Sequence, residues 1–221
     1  MTIATTPVIV VGAGGHALVV ADALLAAGTP VLGFTDAAAH RCGERCLGDL
    51  VVIGDDDALS EHDPSQILLV NGLGGILANG PTCLRVRVQE RLEAAGWRFV
   101  GVRHPSAVIS PFAGIDATAQ VMAGAVIQPH SSVGRGAIVN TGAVIEHDVD
   151  LGAWVHVAPR AVVCGNVRLG AGTHVGAGSV IRQGVSLGAG VIVGVGAAVV
   201  RDQAGAAILA GVPARALEKN T

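Results

Sequence analysis

The sequence predicts an α/β half-domain followed by an all-β solenoid of stacked parallel strands. Two observations carry this reading. From Ile109 to Val199 every sixth residue is Ile, Val or Leu without a break. Before that run, the apolar segment Val8–Val11 leads through Gly12-Ala13-Gly14-Gly15-His16 into a helix-length apolar stretch, the start of a βαβ unit. The expected division is 1–104 for the α/β domain and 105–221 for the solenoid with a C-terminal extension.

In chain order, Val8–Val11 reads as a buried strand and Gly12–His16 as a tight turn. Ala17–Ala27 reads as a helix with Val19, Val20, Leu24 and Leu25 inward, stopped by Gly28. Val31–Asp36 is the next strand, with Asp36 at its carboxyl end. Val51–Gly54 and Ile67–Gly72 read as later strands of a small parallel sheet, and Leu84–Ala95 as a helix closed by Gly96. Val100–Arg103 is a last strand before His104-Pro105, where the solenoid begins. A glycine turn that opens a helix leaves backbone N–H groups unpaired, and these favour phosphate. Gly12, Gly14 and Ala17 satisfy G-x-G-x-x-G/A, and Asp36 stands about 20 residues on, where an acid holds a ribose. That fingerprint alone is weak. The half is short for a full dinucleotide fold, so it reads as half of one.

A six-residue period fits neither the 3.6 of a helix nor the 2 of a flat strand. It fits a solenoid in which each hexad makes one short strand and one turn, and three hexads close a triangular coil. The aliphatic residue points inward. Four positions later, through Ala197, comes Ala, Ser, Thr or Val, small enough for the corner. Eighteen residues therefore make one coil, and residues 18 apart stack.

Composition bounds the function. The 221 residues are 51% hydrophobic, yet only three Phe, two Trp and no Tyr occur, which suits narrow aliphatic coils. No stretch of about 20 residues is free of Gly, charge or His, which argues against a membrane span. Met1–Pro7 carries no Lys or Arg, which argues against a signal peptide and for a cytoplasmic protein. A net charge of −3 argues against a nucleic-acid partner. Cys42 and Cys46 with His40 do not follow a common zinc spacing, so no metal is expected.

The hexads resemble the hexapeptide repeat of left-handed β-helix acyltransferases, and Gly211-Val212-Pro213-Ala214 resembles the segment that follows the last coil in that family. The resemblance implies a left-handed parallel β-helix, an exception to right-handed crossovers. It also implies a homotrimer with acetyl-CoA bound between subunits. The glycine turn and Phe34-Thr35-Asp36 resemble one branch, the bacterial acetyltransferases of sialic acid and of UDP-bacillosamine and perosamine synthesis. In that branch the first domain holds the sugar nucleotide. The resemblance therefore makes Gly14, Gly15, His16, Asp36, Ala37, Gly54 and Asp55 substrate contacts. Many relatives carry a second acid where this chain has Ala37.

Acetyl transfer from a thioester needs a base, an oxyanion donor and two substrates held together. Glu146-His147-Asp148 is the hexad segment that offers a base. By resemblance His147 is the general base, Asp148 supports it and Asn140 assists. Imidazole titrates near neutrality, which suits the task. Column arithmetic adds Gly165, 18 residues after His147: it leaves room above the base, and its N–H is assigned to the oxyanion. His156 is half a coil from His147, so the two share no column on one chain and would meet only across a subunit groove. The resemblance sets His156 against acetyl-CoA, with Ala177 and Val195 as further backbone contacts. His174 stacks on His156; it and His130 are expected to be surface residues.

The leading expectation is an acetyl-CoA-dependent N-acetyltransferase acting on a nucleotide-linked amino sugar of 4-amino-4,6-dideoxyhexose type in surface glycan synthesis. Alternatives are a sialic acid-type O-acetyltransferase, a non-catalytic sugar-nucleotide-binding protein and a nicotinamide-dependent oxidoreductase. The intact Glu146-His147-Asp148 argues against the third, and the fourth rests on the glycine turn alone. UDP, GDP and dTDP remain open as the nucleotide.

Overall fold

The computed structural model describes residues 6–75 and 83–217. They fall into two compact units, one ending at Pro105 and the other beginning with the coils at Ser106.

The first unit contains β1 (Val8–Val11), α1 (Gly15–Ala26), β2 (Val31–Thr35), β3 (Arg45–Leu47), β4 (Leu50–Gly54), β5 (Leu68–Asn71) and α2 (Leu84–Ala94). The sheet order is β3-β4-β2-β1-β5. β1 runs parallel to β2 and β5, and β2 parallel to β4. β3 was not legible as a strand and is antiparallel to β4, so the sheet is mixed rather than wholly parallel. Helix α1 buries Ala17, Val20, Ala21, Ala23 and Leu24, whereas Val19 and Leu25 stand 45% and 46% exposed. The expectation that all four large residues face inward was wrong, because the alanines take the sheet-facing stripe and let the helix lie close. Asn71 ends β5 and donates from Nδ2 to the carbonyl of Arg85 at 2.8 Å, tying α2 to the sheet.

In the second unit, two-residue strands recur every six residues from Val108–Ile109 to Ala198–Val199. They stack into three parallel sheets, each strand paired with the one 18 residues away, as in Val126↔Val144 and His156↔His174. The inward residues from Val121 to Val199 are all within 3% of full burial, and the small residues four positions later are buried beside them. Each buried aliphatic side chain contributes about 1.5–3 kcal/mol.

That gain is set against the corners. The third residue after each inward position, from Gly124 through Gly196, has positive φ. Eight of these corners are glycine; His130, Asp148, Trp154, Arg160 and Asn166 are not. A left-handed non-glycine residue costs roughly 1–2 kcal/mol, so core burial wins at each corner. The Trp154 ring lies over Gly136 one coil below, where a Cβ would come 2.4 Å from Cε3.

The outward residues give the three faces different chemistry. The valine face presents Val108, Val126, Val144, Val162, Val180 and Ala198. The polar face presents Gly114, Ser132, Asp150, Arg168 and Ser186. The histidine face presents Gln120, Ile138, His156, His174 and Ile192. The last coil is shorter, with Ile192 paired to Ile208, and Arg215–Ala216 turns back antiparallel on Ile208–Ala210 to cover the open end.

Candidate active site

In the first unit the residues expected to contact substrate gather at the carboxyl ends of the parallel strands, where α/β sheets bind ligands. The N–H of Gly12 donates to Thr35 O at 2.9 Å, and Asp36 N donates to Gly54 O at 2.9 Å, so glycine turn, Asp36 and Gly54 converge. Gly12 has φ +96° and a Cβ there would come 2.7 Å from Leu73 Cδ2, so the turn requires glycine. A Cβ on Gly14 or Gly15 would meet nothing within 4 Å. These two glycines leave open space at the start of α1, whose first turn carries no acid and no side-chain cap. The helix N-terminus is therefore positively polarised and uncovered.

His16 packs against Gly74, where a Cβ would approach His16 Cβ to 2.8 Å. Asp36 accepts from Ala38 N at 2.9 Å through Oδ1, while Ala37 stands exposed in the turn so formed. Asp55 Oδ1 accepts from Asp57 N at 3.0 Å and caps the 3₁₀ turn Asp56–Glu61.

Sequence reasoning missed Arg41. Its guanidinium meets Asp36 Oδ2 at 2.6 Å, Ala13 O at 3.3 Å and both Glu44 oxygens at 2.8 and 2.9 Å. Hydrogen bonding to Arg41 holds the Glu44 carboxyl below its ordinary value, and Glu44 in turn raises the guanidinium. Burial pushes the Cys46 thiol up, which keeps it neutral. Among the described residues no group of three His, Cys, Asp or Glu is arranged to hold a metal.

In the solenoid, His147 and Asp148 occupy the corner between valine and polar faces. Asp148 has φ 58°, and this conformation accompanies a carboxylate set 2.7 Å from Nδ1 of the preceding histidine. Nδ1–H donating to the carboxylate leaves Nε2 as the acceptor. Both side chains are half-exposed, at 53% and 54%. Gly165 lies above: a Cβ there would come 2.6 Å from Nε2. The corner itself is held tightly. Ser131 Oγ donates to Glu146 O at 2.6 Å and accepts from Val149 N at 3.3 Å, while Asn166 N donates to His147 O at 2.9 Å. Ser131 escaped notice in the sequence because it also satisfies the small-residue rule of its hexad.

Asn140, His156, His174, Ala177 and Val195 belong to a second cluster. Asn140 Oδ1 accepts from Thr141 N at 2.8 Å, which turns Nδ2 toward His156 Nε2 at 3.2 Å. An accepting Nε2 puts the proton of a neutral His156 on Nδ1. The rings of His156 and His174 meet edge to face with centroids 4.9 Å apart. His174 is 7% exposed, so the surface assignment was wrong; His130 is exposed, stacked on Phe112 at 6.4 Å. Ala177 and Val195 follow at the corner between histidine and valine faces, with Val195 81% exposed. On one chain the two clusters thus flank the valine face from opposite edges.

Residues 7–77 match the family model described as the PglD N-terminal domain. A histidine-to-asparagine variant of perosamine N-acetyltransferase from Caulobacter crescentus, in complex with CoA and GDP-perosamine, is 35% identical. It aligns over 96% of this chain and 97% of that one with a TM-score of 0.87. The acetyltransferase domain of PglB from Neisseria gonorrhoeae, in complex with acetyl coenzyme A, is also 35% identical, over 96% and 100%, with a TM-score of 0.87.

The chain belongs to the hexapeptide-repeat nucleotide-sugar acetyltransferases.

It is therefore an acyltransferase with the left-handed parallel β-helix of that family. WeeI from Acinetobacter baumannii, at 22% identity and a TM-score of 0.72, shares the fold. Among curated proteins none matches the chain. No helix among the described residues is long and apolar enough to cross a membrane.

Proposed function

We propose that this acetyltransferase moves the acetyl group of acetyl-CoA to the amino group of a nucleotide-linked 4-amino-4,6-dideoxyhexose. The observation that carries the mechanism is the His147–Asp148 pair beneath Gly165. His147 Nε2 takes the proton as the neutral amine attacks the thioester carbonyl. An N–C bond forms, the C–S bond breaks, and the proton passes on to the departing thiolate. Asp148 orients the ring and stabilises the imidazolium. Gly165 leaves room for the acetyl group, and its N–H faces the oxyanion.

The α/β unit holds the nucleotide, with Gly14 and Gly15 giving the diphosphate close access to the helix N-terminus and Asp36 beside it. His16, Ala37 and Gly54 border that position, while Asp55 contributes through the turn it caps. A proposed division at residue 104 gives the nucleotide to the first domain and acetyl-CoA to the second.

The enzyme works as a homotrimer. The valine face is apolar along its length, unlike the polar face. In a cyclic trimer with valine faces toward the axis, one edge of each face meets the opposite edge of its neighbour. His147 of one subunit then approaches the Asn140–His156 cluster of the next, and Ala177 and Val195 line the same groove for CoA. The reading as a cytoplasmic enzyme is supported by four cysteines all present as free thiols.

A thiol-release assay with acetyl-CoA and a panel of UDP-, GDP- and dTDP-linked 4-amino sugars tests the function. Turnover with an amino sugar and none with its 4-hydroxy counterpart is expected. Transfer to hydroxyl acceptors alone would replace N- by O-acetylation.

A further inference from the structure

Arg41 lies outside every motif in the sequence, yet it organises the mouth of the glycine turn. It ends the short 3₁₀ turn Ala39–Arg41. A guanidinium has five N–H donors in a fixed fork. Nε and Nη2 grip the two Glu44 oxygens at 2.8 and 2.9 Å, while Nη1 reaches Asp36 Oδ2 at 2.6 Å and Ala13 O at 3.3 Å. Nη2 also stands 4.0 Å from Cys46 Sγ. With its donors spent inside the chain, Arg41 is poorly placed to bind a phosphate directly. It instead joins Asp36, Glu44 and the glycine turn into one rigid unit.

The charges give this arrangement a purpose. Asp36 and Glu44 bring two negative charges to the place where open Gly14 and Gly15 admit an anion. Uncompensated, they would repel a diphosphate; the Arg41 cation reduces their sum from −2 to −1. The Arg41–Asp36 contact is sheltered, with side chains 24% and 19% exposed, so salt screens it less than a surface pair.

Resting on the nucleotide reading above, we propose that Arg41 is a positioning residue for the sugar nucleotide: it fixes Asp36 against the turn and offsets the carboxylates that would otherwise exclude a diphosphate. Lysine cannot replace it, because a single ammonium cannot bridge both carboxylates and the Ala13 carbonyl with this fork.

Calorimetric titration of the full chain with UDP, GDP and their nucleosides, alongside steady-state kinetics, tests the idea. Arg41→Ala should weaken diphosphate binding about tenfold. The KM for the sugar nucleotide should rise in parallel, with kcat and the KM for acetyl-CoA within about twofold. The nucleosides should lose much less. Adding Glu44→Gln to Arg41→Ala should recover part of the loss by removing one of the uncompensated charges, and Arg41→Lys should fall between wild type and Arg41→Ala. A direct phosphate ligand would show no such recovery, and that result overturns the proposal. So does an equal loss for nucleoside and diphosphate, or a fall in kcat alone. If Arg41→Ala fails to fold, the same comparisons are made with Arg41→Lys. Wild-type protein that binds none of the diphosphates overturns the nucleotide reading and this proposal with it. Wild-type binding matched by both Arg41 variants overturns this proposal alone.

Discussion

Gly165 stands one coil above His147, so close that a methyl group at position 165 would lie 2.6 Å from the imidazole Nε2. The ring and the missing side chain form one device: the imidazole keeps its position because nothing presses on it. Gly165→Ala should push the ring off its line to the substrate and lower kcat by about 10², since small misplacements of reacting groups are costly. Thermal stability and both KM values should stay near wild type. Steady-state kinetics and a melting curve check this, and unaltered kcat would remove Gly165 from the site.

His147→Asn should lower kcat by roughly 10²–10⁴, the usual worth of a positioned base. The side chain is half-exposed, so ligand affinities and assembly should survive. Asp148→Asn should cost less, because in the proposed mechanism Asp148 only tunes and orients the base. A base must be unprotonated to accept a proton, so wild-type kcat should fall at low pH. An amine acceptor must also be unprotonated, and its titration produces a limb of the same sign. The limb due to His147 should vanish in His147→Asn, whereas a limb due to the amine persists. A pH–kcat profile of both proteins separates the two.

Gly14 has φ −83° and open space around it. Gly14→Leu should therefore fold normally and fill the space assigned to the diphosphate. The KM for the sugar nucleotide should rise about tenfold or more, with the KM for acetyl-CoA unchanged. An equal rise in both would argue against separate sites.

Val144 points outward from the valine face, beside inward Ile145. Val144→Asp should leave the coil folded and break the proposed trimer, because an unpaired charge in an apolar interface is strongly unfavourable. Activity should be lost with assembly, as the proposed trimer brings the two clusters flanking this face together from different subunits. Sedimentation velocity reads the assembly. A wild-type monomer at micromolar concentration, or a trimeric Val144→Asp with full activity, would sink the interface.

The solenoid was legible because its signal repeats: Ile109, Ile115 and Val121 each answer the same steric demand, and any lapse would leave a gap in a narrow core. The stacking of Gly165 on His147 and of His174 on His156 followed from the 18-residue coil alone. The first unit was less legible. The edge strand Arg45–Leu47 lacks apolar alternation, and the inward stripe of α1 was misassigned because an all-apolar helix offers no periodicity to choose a face. His174 was taken for a surface residue because column arithmetic gives neighbours along the coil and says nothing of what covers a face.

By itself the sequence determined the repeating coil, the glycine turn ahead of a helix and the one histidine within the hexads that is followed by an acid. All are local or strictly periodic, and local sterics are written in short stretches of chain. Tertiary structure alone decided the rest. It joined Arg41 to Asp36 and to the carbonyl of Ala13, 28 residues away. It passed the bonds of Ser131 to Glu146, 15 residues on. It set Asn140 on His156 rather than beside His147. These partners meet only after the sheet and coils have formed, and no periodicity records which donor will reach which acceptor.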